Sequence, residues 1–323
     1  MKRSVAWLVA MAAGLSLLPG CLVSRERVGL RELGTARVGV GYDVHVDGGI
    51  ALLSHNQGAS ILDVVDPARP RELGVIPTHD ACFGVFHCGA RAYVLDPSRG
   101  LLVVDVSDPA RPAILGSCRS PGSWCELDAA GDHVYLANRD GGMDVVDVSN
   151  PTHPRLVGAG YGADPCEGIC VLGDVAYLAM GGAGVHVIDI LDPLVPRLIR
   201  VLTEPRPAVG IDASDGLLAV ARHARGVSVY EVSDPRFPRF LAEVSSRHES
   251  LEVSVRGDMV AVADNMAGAM MLRIDASRHV VGVGQYETGA ATHGVFTDGR
   301  VIYLADGGCG LVILAPRSGG PSG

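Results

Sequence analysis

The amino-acid sequence predicts an all-β chain folded as a seven-bladed β-propeller of four-stranded antiparallel blades. Two observations carry this reading. Glycines at Gly58, Gly100, Gly142, Gly184, Gly226, Gly268 and Gly310 follow one another at a constant interval of 42 residues. Within each interval lie four short apolar or alternating runs, rich in Val, Leu and Ile and separated by turn residues. Four antiparallel strands repeated at about 40–45 residues are the mark of propeller blades.

The interval after Gly100 shows the unit. Strands are predicted at Leu101–Val106, Ala113–Cys118, Glu126–Ala130 and His133–Ala137. Gly131-Asp132 makes a tight hairpin, with equivalents at Gly173-Asp174, Asp215-Gly216, Gly257-Asp258 and Asp298-Gly299. Asp108-Pro-Ala-Arg-Pro112 makes a second turn, in which the first proline pre-sets φ and the aspartate accepts backbone N–H groups. The recurring acids Asp63, Asp105, Asp147, Asp189 and Glu231 fall one per blade, so they cap these turns rather than meet as a catalytic pair.

Strand order predicts how the ring closes. The innermost strands begin near Asp43, Gly84, Glu126, Gly168, Gly210, Glu252 and Gly294. The last unit lacks an outer strand, and Val28–Gly34 has the outer-strand pattern, so it should pair with Leu311–Leu314. Such closure removes an edge that would otherwise invite aggregation.

The strand seen as Leu102-Val-Val-Asp-Val106, Val145-Val-Asp-Val148 and Val187-Ile-Asp-Ile190 resembles that of the LVIVD-repeat family. The resemblance covers roughly residues 28–315 and speaks to fold rather than activity.

Composition agrees. Hydrophobic residues make up 48% and charged residues 20% of the 323, ample for a packed core. A net charge of −9 without basic runs argues against a nucleic-acid partner.

The N-terminus carries an address. Lys2 and Arg3 precede an apolar stretch from Val5 to Leu18 that is too short to span a bilayer. Leu18-Pro19-Gly20-Cys21 resembles the lipobox of bacterial lipoproteins. That resemblance implies a signal peptide over 1–20, acylation of Cys21 and a tether through residue 27, followed by the propeller at 28–315 and a tail at 316–323. It also implies a cell-envelope location, at the outer membrane facing the periplasm or the exterior.

The loops between blades and those joining second and third strands share one face. The channel there is approached by Asp43, Glu126, Glu167, Glu252 and His293, with His248, Glu249 and Asp80 on the surrounding loops. Carboxylates with one histidine suit Ca²⁺ or Mg²⁺ better than a closed zinc site. The plainer account of the same residues is that they bind water and inner-strand N–H groups. Of the eight cysteines, Cys118 and Cys125 are the best disulfide candidates, with Cys82–Cys125 and Cys125–Cys166 as competing pairs; Cys88 and Cys170 read as small buried residues, and Cys309 reads as the most exposed thiol. The expected function is a monomeric, non-enzymatic binding or scaffold module for a protein, peptide or glycan. The alternative is a metal-dependent envelope hydrolase or lyase at the channel mouth.

Overall fold

Each blade is one four-stranded antiparallel sheet that takes its two inner strands from one 42-residue interval and its two outer strands from the next, because the period-two runs are short and the turn residues force reversals. The computed structural model describes residues 26–27, 29–119 and 121–317. The expected signal peptide, the Cys21 attachment point and the end of the tail lie outside the described residues, as does Val28. Every regular element among the described residues is a strand.

Seven sheets form. In chain order they are blade 1 (41–77), blade 2 (85–118), blade 3 (124–161), blade 4 (168–202), blade 5 (211–244), blade 6 (252–286) and blade 7 (292–316), the last completed by Leu30–Ala36. The first strand of each blade touches the first strands of its neighbours, so these strands line the central channel.

The ring closes as the sequence predicts, two residues further along. Leu30–Ala36 runs antiparallel to Gly310–Pro316, with Leu30 opposite Pro316, Glu32 opposite Leu314 and Ala36 opposite Leu311. A shift between Glu32 and Gly34 repeats the irregularity of other outer strands, such as that between Ile114 and Gly116. Glu26–Arg27, expected as tether, instead adds in parallel to the outer strand of blade 6 opposite Gly282 and Val283.

The core consists of seven apolar clusters, one at each junction between blades. At one of them Tyr93, Leu101 and Val103 of blade 2 meet Leu127, Leu136 and Val146 of blade 3. Fully burying one such side chain contributes about 1.5–3 kcal/mol. The closing junction is built alike, with Leu311 and Ile313 of blade 7 against Leu53 and Leu62 of blade 1.

The invariant glycine has a steric cause. All seven leading glycines have positive φ, from 64° at Gly142 to 135° at Gly58. At Gly184 a Cβ would fall on the carbonyl oxygen of Leu202 in the adjacent outer strand. The turn acids act as expected: Asp105 accepts the Ser107 N–H at 2.9 Å, and Asp147 accepts that of Ser149 at 2.9 Å and pairs with Arg155 at 2.9 Å.

The cysteines depart from expectation. Cys82, Cys88, Cys118, Cys125, Cys166, Cys170 and Cys309 are all free thiols. Cys118 ends the outer strand of blade 2, whereas Cys125 lies on the inner strand of blade 3. Outer and inner strands are three spacings apart, about 14 Å, and a disulfide needs Cα atoms within about 7 Å. Sequence proximity across the loop concealed this radial distance. Cys170 is buried as expected, but Cys88 is exposed and Cys309 only half so. Cys88 ends the short inner strand of blade 2 and faces the channel, while Cys309 packs on the cluster between blades 6 and 7.

Outer-strand glycines make the tightest contact between blades. A Cβ on Gly74 would strike the Pro109 carbonyl in the turn of blade 2, and one on Gly34 the Pro67 carbonyl in blade 1. Gly74→Val and Gly34→Val should each cost about 1–3 kcal/mol, read as a lower midpoint in urea unfolding. Gly182→Ala, where a Cβ meets open space, should stay within about 0.5 kcal/mol.

Candidate functional site

Side chains two residues apart on an inner strand face the same way, so every second one lines the channel. This places Asp43, His45 and Asp47 of blade 1 in one wall, with Glu126 and Asp128 of blade 3, Asp212 of blade 5, and Glu252 and Arg256 of blade 6 in the others. They surround a cavity of about 450 Å³, which Phe86, His87 and Phe296 also line.

The acids have a common partner. Asp43 accepts its neighbour Val44 N–H at 2.6 Å and, across the junction, the Val85 N–H of blade 2 at 2.8 Å. Asp128 does the same with Ala129 at 2.6 Å and Val171 of blade 4 at 2.7 Å. Asp212 takes Ala213 at 2.8 Å and Val255 of blade 6 at 2.6 Å. Glu126 is bonded by the Ile169 N–H and Glu252 by that of Val295, again one blade further on. His45 Nδ1 (from His87, 3.2 Å), Asp47 (from Gly89, 2.8 Å) and Ser254 (from Thr297, 3.1 Å) repeat the pattern. Each polar side chain is a strap from one blade to the backbone of the next.

Where glycine replaces the first acid of the strand, the next blade's backbone moves into the vacated space. A Cβ on Gly168 would lie 2.5 Å from the Val209 carbonyl oxygen, one on Gly210 2.5 Å from that of Leu251, and one on Gly294 2.6 Å from the Asp43 Cα. The alternation of Asp43, Glu126 and Glu252 with Gly168, Gly210 and Gly294 is therefore complementarity between neighbouring blades.

Burial governs the titration of these groups. It pushes the Asp43 carboxyl up to about 6 and that of Asp128 up to about 7, against the lowering by their N–H donors. Glu126 and Glu252 are raised well above the carboxylate range, by burial first and then by the charge of Asp43, with Asp128 adding at Glu126 and Glu126 adding at Glu252. Asp212 is raised less, because Arg256 lies 3.4 Å away. Burial, with Arg256 and His87 adding, pushes His45 down to about 3. The Arg256 guanidinium also bonds the Val255 carbonyl at 2.6 Å and sits over the Phe296 ring at 5.4 Å.

The other expected residues stand apart from the cavity. Glu167 pairs with Arg139 at 3.0 Å at the channel mouth, and His293 lies against Tyr42 with ring centres 5.9 Å apart. Neither lines the cavity, although each immediately precedes a channel-facing position, Gly168 and Gly294. Asp80 accepts the hydroxyl of Ser98, which lies on the loop joining the second and third strands of blade 2, at 3.1 Å. Glu249 accepts the Asn265 amide at 3.1 Å, and its neighbour His248 is exposed. Among the described residues no three His, Cys, Asp or Glu side chains are placed to hold one metal ion. Asp128, Asp212 and Arg256, which sequence reasoning missed, were marked by the same period of two that singles out Glu126 and Glu252.

The family model of the LVIVD repeat matches residues 88–120, 121–160 and 166–203, which fall on blades 2, 3 and 4. This chain is a seven-bladed β-propeller that carries three tandem LVIVD repeats. No curated protein sequence matches it. Solved structures share the fold of this LVIVD-repeat chain. The β-propeller domain of Cps50 (Swd1) from Myceliophteria thermophila has a TM-score of 0.71 at 12% identity, covering 90% of this chain and 100% of that one. U3-55K gives 0.67 at 12% identity, with 90% and 98% covered. The computationally designed Ika8 protein gives 0.63 at 9% identity, with 88% and 99% covered.

The channel sets the pH dependence of the LVIVD-repeat ring. Asp128 and Asp43 hold their protons more tightly folded than unfolded, so their contribution is complete below about pH 4 and is lost as pH rises through about 6–7. Asp147, held down to about 2 by Ser149 and Arg155, contributes above about pH 4 and loses that contribution as pH falls toward 2. Thermal unfolding should therefore show greatest stability near about pH 4, falling as pH rises toward about 7. Asp128→Asn should flatten the loss between pH 5 and about 7.5, and an unchanged slope would show that the channel acids are not buried as described.

Proposed function

We propose that this chain is a lipid-anchored, non-enzymatic binding module of the cell envelope, held at the membrane by Cys21 and engaging a protein, peptide or glycan through its loop-rich face. One observation carries the binding reading. At the channel mouth on that face, exposed Phe83 packs on Tyr42 with ring centres 5.1 Å apart, and Tyr42 in turn meets His293. An aromatic pair open to solvent, with the Arg139–Glu167 ion pair also at the mouth, offers stacking area and hydrogen bonds together, as recognition surfaces do. The channel carboxylates beneath support a scaffold role. A carboxylate bonded to N–H groups of two strands is occupied, and using it as a base or metal ligand would loosen a junction.

A photo-reactive residue at position 83 in membrane-bound cells should crosslink a discrete partner, whereas one at Val65, exposed on the opposite face, should not. Equal crosslinking from both positions would defeat the binding reading. Phe83→Ala should weaken that partner about three- to tenfold, as expected for one aromatic contact. Cys21→Ala should move the chain from the membrane to the soluble fraction.

A further inference from the structure

The proline turns of successive blades share one face, and their sequences diverge in a patterned way. Blades 1 and 2 carry Asp66-Pro-Ala-Arg-Pro70 and Asp108-Pro-Ala-Arg-Pro112. Blade 4 carries Leu191-Asp-Pro-Leu-Val-Pro196, and blade 5 carries Asp234-Pro-Arg-Phe-Pro238 followed by Phe240. The replacements are solvent-exposed: Leu191 is 75%, Leu194 54% and Phe237 58% accessible, and Val195, Leu198 and Phe240 about half. An apolar rim over two neighbouring blades is more than scattered surface hydrophobics. The two turns are linked by cations, Arg200 of blade 4 lying over the Phe237 ring of blade 5 at 5.7 Å and Arg236 of blade 5 pairing with Asp189 of blade 4 at 2.9 Å. Asp192, the acid of the blade 4 turn, is taken up by the Leu194 N–H at 3.1 Å.

The position of the N-terminal segment identifies what covers this rim. Glu26–Arg27 pairs in parallel with the outer strand of blade 6, Val280–Tyr286, which runs from the proline-turn face to the loop-rich face. The chain therefore reaches that edge from the proline-turn side. Blade 6 adjoins blade 5, where its Arg278 lies 3.6 Å from Glu231. Only four residues lie between Cys21 and Glu26, and the five steps that join the two span at most about 17 Å.

We propose that the apolar rim of blades 4 and 5, centred on Leu194 and Phe237, rests on the lipid surface to which Cys21 is attached, so that the loop-rich face points away from the membrane. This inference rests on the lipid-anchor reading, and it adds an orientation that the anchor alone does not give. Arginines such as Arg200 at its border suit lipid phosphates.

The test uses tryptophan quenching by vesicles of brominated phosphatidylcholine and phosphatidylglycerol. The chain from residue 22, carrying an N-terminal hexahistidine tag, is tethered through a nickel-chelating lipid. Phe237→Trp and Leu194→Trp should lose fluorescence on tethering, and Phe83→Trp on the other face should not, with Trp124 as the common background. Circular dichroism checks that each variant is folded. Quenching of position 83 as strong as that of 237 and 194, or none at 237 and 194 in tethered protein, would overturn the proposal. So would self-association through the rim, seen as a concentration-dependent dimer abolished by Phe237→Asp. Mass spectrometry of Cys21 in protein taken from its own membrane tests the anchor separately. A bare Cys21 with quenching intact would remove the anchor reading and leave the rim's membrane affinity standing.

Discussion

A blade of this ring cannot stand alone, because both of its faces are apolar and each must be covered by a neighbour. The seven interblade clusters are the whole core, and the seventh exists only if the first and last blades meet. The pairing of Leu30–Ala36 with Gly310–Pro316 locks that junction. It ties the start of the folded chain to its end, and every other packing contact presupposes it. Such long-range pairing carries a loop-closure cost that local hairpins do not, so the junction must be stabilised by its own burial and ladder.

The channel shows how the ring is held from inside. Carboxylates that would be costly to bury alone are satisfied by N–H groups at inner strands of the next blade, and where no carboxylate is present the backbones approach until only glycine fits. These are two solutions to the same problem of joining twisted sheets near the axis. They make the channel acidic and its protonation part of stability. The recognition proposed for this chain falls to the loop-rich face, with Tyr42 and Phe83 at its mouth.

Much of the fold was legible because the repeat is strict. The positive φ required at each leading glycine preserves that residue, and the glycines alone give the blade count and register. The site was legible in part. Asp43, Glu126 and Glu252 were singled out correctly as neighbours of the channel, whereas Glu167 and His293, one residue before a channel position, stand at its mouth and outside the cavity. Asp128, Asp212 and Arg256 lie deeper on the same face and needed the period of two to be followed further down each strand. The Cys118 and Cys125 pairing failed because chain separation says nothing of radial distance when a loop crosses from the rim of one blade to the axis of the next. The pairing of Glu26–Arg27 had no pattern to announce it, since two residues are too few to show a strand's alternation.

Native-state hydrogen exchange tests ring closure most directly. The amides of residues 31–36 should exchange as slowly as those of 311–315 and in one cooperative unit with them, since both open only when the ring opens. Exchange of 31–36 at rates typical of a free terminus, with 311–315 still protected, would contradict closure and with it the arrangement of the channel.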